Sequence, residues 1–267
     1  MTTVRYETQD GIATITLDRP ETLNSMNSEL MDGIRSAATE IENDDSVRVA
    51  ILTGSGRGFC SGADLSGFDQ STDQSNSGEA TVSGMDNHFN PAIRAVANLP
   101  VPSIAKVNGV AAGGGFGLAM TCDITIAARS AFFVATFGPR LGIVPDLGTT
   151  WHLPNRAGRA RARGIAMLGG RITADEAKDW GLIWDTVDDD HLDDAVAKVA
   201  AQFAGSSPAA MTRIRDSLDQ AELNTLSEQL DVERDHQRVL IPQNMAEGAA
   251  AFLEKREPRF NGNRSQG

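Results

Sequence analysis

The chain is poor in cysteine, in aromatic residues and in positive charge, and each shortage removes a class of protein. Only two cysteines, Cys60 and Cys122, occur among 267 residues. That is too few for a disulfide framework, so a reducing, cytoplasmic setting is expected. Lys and Arg number 24 against 36 Asp and Glu, giving a formal net charge of −12. Phosphate contacts need a basic face, as does attachment to an anionic membrane, so neither nucleic acid nor membrane is expected as a partner. No run of about 18 apolar residues exists, which leaves no candidate transmembrane helix. The stretch from Met1 to Gln9, followed by Asp10, is polar and carries Glu7. It lacks the basic and then apolar regions of a signal peptide. The four histidines, His88, His152, His191 and His236, show no ligand spacing with cysteines or carboxylates, and no metal is expected.

What is present suffices for a folded enzyme-sized domain. Hydrophobic residues make up 40% and charged residues 22%, a balance that buries a sizeable core and argues against disorder. Up to about Ala128 the pattern mixes strand and helix. Ile12–Leu17 alternates, with Ala13, Ile15 and Leu17 on one face. Asn27 or Ser28 caps a helix whose stripe is Leu30, Ile34, Ala37, Ala38 and Ile41. Val49–Leu52 reads as a buried strand and Ser103–Val107 and Ile124–Ala127 as two further strands, and helical segments between them imply a mostly parallel sheet. The Ser-, Asp- and Asn-rich stretch Ser66–Asn87 reads as a long loop.

From about Leu147 the pattern reads as almost entirely helical. Thr173 with Glu176 forms a capping box, with Gly181 at the far end of that helix. Leu192, Ala195, Val196, Val199 and Phe203 form the next stripe. Thr225–Ile241 and Asn244–Lys255 read as two further helices. The division expected is a core over residues 1–200 and a helical oligomerisation region over 201–267.

Two glycine-rich segments each follow an expected strand: Gly54–Leu65 (Gly-Ser-Gly-Arg-Gly-Phe-Cys-Ser-Gly-Ala-Asp-Leu) and Asn108–Met120, with Gly113, Gly114, Gly115 and Gly117. Neither matches a phosphate loop or the dinucleotide fingerprint, which sets a Rossmann-type oxidoreductase aside. Neither holds a serine elbow. What glycines ahead of Phe116–Thr121 can do is turn the chain sharply into a helix and leave its first N–H groups bare, backed by the helix dipole. An oxygen gaining negative charge there is stabilised without any side chain. Close helix–strand packing is the alternative use of such small residues.

Phe59-Cys60-Ser61-Gly62-Ala63-Asp64-Leu65 together with Val107-Asn108-Gly109-Val110-Ala111-Ala112-Gly113-Gly114-Gly115-Phe116-Gly117-Leu118-Ala119 resembles the enoyl-CoA hydratase/isomerase (crotonase) family. Leu17-Asp18-Arg19-Pro20-Glu21 with Asn24, Cys122-Asp123-Ile124, Leu141-Gly142-Ile143-Val144-Pro145-Asp146 and Phe252-Leu253-Glu254-Lys255-Arg256 support it in order along nearly the whole chain. The resemblance implies an α/β fold, a spiral of β-β-α units with a helical C-terminal trimerisation region, assembled as a homo-trimer or a dimer of trimers. It implies an acyl-CoA substrate, with coenzyme A entering as part of the thioester and no tightly bound cofactor. The two amides of the oxyanion hole carry over to Ala63 and Gly114. Cys60, Ser61, Gly62, Ala63, Asp64 and Leu65 would line the coenzyme path, and Phe252 and Lys255 match residues that touch coenzyme A from an adjacent subunit. Asp64 reads better as a capping carboxylate than as a catalyst.

Family reactions pass through a thioester enolate, and the surrounding acid/base groups choose the branch. Hydratases of the family use two glutamates. The first falls on Gly117 here, and no Glu stands between Ala127 and Leu141 for the second. Asp146 remains, matching the base of several enoyl-CoA isomerases, including the epoxyphenylacetyl-CoA isomerase type. One carboxylate suffices for a double-bond shift, and the alternative for Asp146 is to cap the helix that follows. The reading therefore favours an isomerase. A hydratase with other acid/base groups and a silent acyl-CoA binder stay open. A dehalogenase-like branch is disfavoured, because His88 does not align with the histidine it needs. His152 is expected to be a hydrogen-bonded structural residue.

Overall fold

In the computed structural model, residues 2–67 and 77–260 are described. The alternating segment at the start is a strand with Ala13, Ile15 and Leu17 buried, as the pattern requires. It is β2 (Ile12–Leu17), preceded by β1 (Val4–Gln9). The strands that follow are β3 (Val49–Gly54), β4 (Gly58–Cys60), β5 (Ser103–Val107), β6 (Val110–Ala112), β7 (Ile124–Ala128), β8 (Phe132–Val134), β9 (Arg171–Thr173) and β10 (Asp185–Val187). The larger sheet has the order β1-β2-β3-β5-β7-β10, and the smaller has the order β4-β6-β8-β9. All neighbours are parallel except β1 with β2 and β8 with β9.

The two orders define a spiral. β3, β5 and β7 lie in the larger sheet, and each is followed at once by a strand of the smaller sheet, β4, β6 and β8. Helices then return the chain: α1 (Ser28–Asn43) after β2, α2 (Ser77–Gly84) and α3 (Asn90–Ala97) after β4, α4 (Gly114–Thr121) after β6, and α5 (Thr149–Leu168) after β8. This is the β-β-α spiral that the resemblance implied. The Asn27 side chain accepts the Leu30 N–H at 2.9 Å and starts α1, whose buried face is the expected stripe plus Met31. Every residue of α4 is buried, so this short helix runs through the core rather than over it.

Three expectations need correction. The stretch Ser66–Asn87 is not one loop. Beyond residues 68–76, which lie outside the described residues, it forms α2 and a π turn at Met85–Phe89. α2 buries no residue, so no apolar period marks it in the sequence. The region after Leu147 is not purely helical, because β9 and β10 close the two sheets; three-residue strands carry no readable alternation. Finally, Thr225–Ile241 and Asn244–Lys255 are one helix, α9 (Leu226–Glu254), with Pro242 inside it. Pro242 is exposed there, and water can satisfy the carbonyl that the missing N–H leaves open.

The remaining helices are α6 (Ala174–Asp179), with the expected Thr173–Glu176 capping box, α7 (Leu192–Gly205) and α8 (Pro208–Ala221). α7 packs on the larger sheet and runs straight through position 200. α8 and α9 pack on each other and leave Leu218, Leu223, Leu226, Leu230, Met245 and Phe252 exposed. No helix among the described residues is long and apolar enough to cross a membrane. Replacing the α1 cap, Asn27→Ala, is expected to lower unfolding free energy by about 1 kcal/mol in urea titration; an unchanged midpoint would show that the cap carries no stability.

Candidate active site

β4 and β6 are parallel neighbours, so both end on one edge of the smaller sheet, and the glycine-rich loops that leave them meet there. A Cβ on Gly62 would stand 2.9 Å from the Ala112 carbonyl oxygen, and one on Gly115 would overlap the Cys60 carbonyl. Only glycine permits that approach. Gly113 precedes α4 with φ 53° and ψ −126°, and its N–H donates to the Val134 carbonyl at 2.9 Å. That turn makes the Gly114 N–H the first of the helix. The first N–H groups of a helix have no partner within it.

The other amide is directed by a bridge. Met26 N–H donates to the Gly62 carbonyl at 2.7 Å, and Asp64 N–H donates to the Met26 carbonyl at 2.8 Å. In such a parallel pairing the intervening residue, Ala63, turns its own N–H away from Met26. Among the described residues, neither the Ala63 N–H nor the Gly114 N–H donates to a turn or loop carbonyl.

A polar bracket holds this loop, built from the Leu-Asp-Arg-Pro segment and Asn24. The buried Asn24 side chain accepts the Arg19 N–H (2.9 Å) and donates to the Ser55 and Gly58 carbonyls (3.0 and 2.8 Å). The Arg19 guanidinium donates to the Ser25 carbonyl (2.6 Å) and to Asp64 Oδ2 (2.8 Å). Asp64 Oδ1 accepts the Ser66 hydroxyl (2.6 Å) and N–H (3.1 Å), capping the short turn Leu65–Gly67. The Ser66 hydroxyl and then the Arg19 guanidinium hold the Asp64 carboxyl far below the usual range, so it stays ionised.

Other expected site residues are placed as follows. The Cys60 side chain is buried, its thiol pushed up to about 12 by burial, and the Ser61 hydroxyl donates to the Thr22 carbonyl at 3.0 Å. In the stretch Cys60–Leu65 the Leu65 side chain is half-exposed. Phe252 and Lys255 sit at the end of α9; Phe252 is 82% exposed, and Lys255 closes the helix with φ 53°. Among the described residues, no hydrogen bond or ion pair ties either side chain to the edge where Ala63 and Gly114 meet.

Asp146 lies on the turn that leads into α5. Its carbonyl accepts the Thr149 N–H at 2.9 Å, while the helix is capped by Gly148 without any side-chain bond. The Asp146 carboxyl is therefore not a helix cap. It is half-buried, and burial raises its proton affinity. The next residue, Leu147, is buried with its side chain against Gly114, opposite the Met26 sulfur. The turn of Asp146 and the two amides accordingly come together. Of the apolar residues near Asp146 in sequence that were expected to surround its carboxyl, Leu147 is buried, whereas Leu141, Ile143, Val144 and Trp151 are exposed; Met26 was not singled out, because an apolar residue that walls a site carries the same pattern as one that fills a core.

At its other end α4 is capped by a buried arginine. Arg156 donates to the Met120, Cys122 and Leu182 carbonyls. His152 lies beside it, with Nε2 3.3 Å from the Thr121 hydroxyl. Burial, then the Arg156 charge, lowers its pKa to about 4, so it is neutral near pH 7. A cavity of about 460 Å³ opens at this far end, lined in part by Thr121, Trp151, His152 and Leu218. His88 is tied to Asp32 of α1 at 2.9 Å. Among the described residues, no group of three or more His, Cys, Asp or Glu could hold a metal ion.

A model of the family described as enoyl-CoA hydratase/isomerase matches residues 7–263. The chain belongs to this family. It is 45% identical to a 1,2-epoxyphenylacetyl-CoA isomerase of Escherichia coli over 95% of this chain and 96% of that one. It is 39% identical to a probable enoyl-CoA hydratase of Rhodobacter capsulatus over 97% and 98%. The solved structure of a putative enoyl-CoA hydratase/isomerase from Mycobacterium abscessus superposes with a TM-score of 0.91 at 30% identity, covering 97% of this chain and all of that one. Within this family fold the Ala63 amide is open to direct test. Ala63→Pro deletes its N–H and is expected to cost about 3 kcal/mol of transition-state stabilisation, read as a fall in kcat on an enoyl-CoA. An unchanged kcat in a folded Ala63→Pro variant removes that amide from the mechanism.

Proposed function

We propose that this enzyme is an enoyl-CoA isomerase in which the Ala63 and Gly114 amides hold the thioester oxygen and Asp146 is the single base. The observation that carries the reading is the state of Asp146. It is a half-buried carboxyl of raised proton affinity, free of capping duty, on a turn packed against Gly114. The Asp146 carboxylate takes a proton from one carbon of the acyl chain, and the electron pair of that C–H bond shifts toward the thioester oxygen. The two amides stabilise the resulting enolate. The protonated Asp146 then returns its proton to another carbon, and the double bond has moved with no net gain or loss of atoms. One group acting both ways suits a carboxyl whose pKa is brought toward the working pH.

Support also comes from the E. coli relative, whose name is that of an isomerase, and from Gly117, which offers no carboxylate. The R. capsulatus relative favours the second reading, a hydratase with other acid/base groups. Coenzyme A enters as part of the substrate, with no tightly bound cofactor. The protein acts in the cytoplasm as a homo-trimer or a dimer of trimers. The exposed apolar side chains of α8 and α9 support that assembly, with Phe252 and Lys255 reaching the coenzyme of an adjacent subunit.

Incubation with trans-2- and 3-enoyl-CoA in deuterated water, followed by mass spectrometry, separates the readings. Bond migration that disappears in Asp146→Asn is the expected result. A 3-hydroxyacyl product would replace the isomerase with a hydratase, and binding without turnover on a broad thioester panel would leave a binder. The activity should fall as pH drops through the raised pKa of Asp146, because only the carboxylate is a base.

The same shift has a consequence for stability. A carboxyl whose folded pKa is raised contributes stability below its unfolded pKa and loses it as pH rises through the folded value. At neutral pH the ionised Asp146 is a cost. Asp146→Asn is therefore expected to raise Tm at pH 7, with the gain vanishing below pH ~3.9. A lower Tm at pH 7 would contradict it.

A further inference from the structure

The turn that carries Asp146 is held in a conformation its own sequence does not favour. Leu147 has φ 50° and Gly148 has φ 79°. The left-handed region costs energy for a residue with a branched side chain, so contacts elsewhere must hold it. They do not come from the preceding segment, where Leu141, Ile143 and Val144 are exposed. They come from α4, at two glycines one helical turn apart. At Gly114, a Cβ would stand 2.5 Å from Leu147 Cδ1 and 3.2 Å from Met26 Sδ, so the Leu147 side chain fills the place a side chain there would take. At Gly117, a Cβ would overlap the Leu147 carbonyl oxygen and stand 2.7 Å from Thr149 Oγ1. That hydroxyl is buried and has no hydrogen-bond partner among the described residues.

Residues three apart on a helix share a face. Leu147 is thus keyed into one face of α4 twice, by its side chain at Gly114 and by its carbonyl at Gly117. The Gly114 end of that face also carries the first N–H of the helix, which donates to no turn or loop carbonyl among the described residues. Because Asp146 is joined directly to Leu147, the left-handed φ at Leu147 sets the direction in which the chain, and the carboxyl on it, leaves α4.

We infer that Leu147 is a positioning residue: its double contact with Gly114 and Gly117 fixes the Asp146 carboxyl relative to the oxyanion amides and keeps it half-buried. This rests on the reading of Asp146 as the base. Displacing a reacting group by about 1 Å costs on the order of a hundredfold in rate, whereas losing an apolar contact elsewhere in a core lowers only stability.

The test is Leu147→Ala, with Leu147→Met as the conservative variant and Gly117→Ala as a perturbation of the same contact from the α4 side. For Leu147→Ala the expected result is a kcat on the order of a hundredfold lower with KM little changed. The acid limb of the kcat profile should move to lower pH, because Asp146 becomes more solvated. Leu147→Met should recover most of the rate, and Gly117→Ala should reproduce the loss and the shifted limb.

A folded Leu147→Ala enzyme with the parental kcat and acid limb overturns the proposal. So does a lower kcat with an unmoved limb that Leu147→Met does not restore. Should Leu147→Ala not fold, Gly117→Ala decides by the same two readouts. Failure of the underlying reading looks different: Asp146→Asn would then retain bond migration. An inactive Asp146→Asn beside a parental Leu147→Ala profile removes the positioning role alone.

Discussion

The arrangement at the edge of the smaller sheet depends on one constraint: among the described residues, the Gly114 N–H at a buried helix end and the Ala63 N–H on an exposed loop donate to no turn or loop carbonyl. Such groups are normally paired, because leaving one unpaired away from water costs free energy comparable to a lost hydrogen bond. The surrounding structure is organised to keep them open. The Met26–Ala63 bridge uses the carbonyl of Gly62 and the N–H of Asp64 and leaves the N–H between them. Asn24, Arg19 and Asp64 tie that bridge to the start of the chain with charge-assisted bonds. α4, buried on every side, offers its bare N-terminus at one end and spends Arg156 on its carbonyls at the other. Both ends of the helix dipole are thereby matched to opposite charge, the N-terminal end by whatever oxygen binds there.

Much of this was legible in the sequence, and the limits have physical causes. Ile12–Leu17 and Val49–Leu52 show their strands because alternation and an uninterrupted apolar run are direct signatures of one-sided and two-sided burial. The helix at Ser28–Asn43 announces itself by cap and stripe together. α2 was missed because it buries nothing, and the continuity of α9 was missed because Pro242 breaks a helix only where its freed carbonyl is starved of water. The site was legible in part. Glycine clusters signal exposed backbone, and the motifs around them carry the family. Which carbonyl each amide avoids, and that Asp146 does not cap α5, depend on turn geometry at Gly113 and Gly148 that one sequence does not display. In the polar bracket Asp64 was expected to cap, while Arg19 and Asn24 stood only as letters of the family motif; their hydrogen bonds supply the task.

Chemistry and architecture meet at α4. On the proposed reading its N-terminal amide is the fixed part of the site, common to every reaction that builds charge on a thioester oxygen. The variable part is what packs over its Gly114–Gly117 face, and here that is the turn from Asp146 to Thr149. Half-burial raises the proton affinity of Asp146, a property of the turn as a whole rather than of a partner charge. His152, next to Arg156 and neutral, belongs to the support of the helix's far end.

The Leu147 carbonyl over Gly117 also bears on how such a protein can change by mutation. A side chain of any size at position 117 collides with the turn at the Leu147 carbonyl and the Thr149 hydroxyl, and a turn withdrawn from α4 leaves an unfilled gap over Gly117. Each single step is worse than either end, so substitutions at 117 and in 146–149 are non-additive. Two ways of furnishing the same helix face are separated by a valley in sequence space, and a lineage that crosses it must change both elements nearly together.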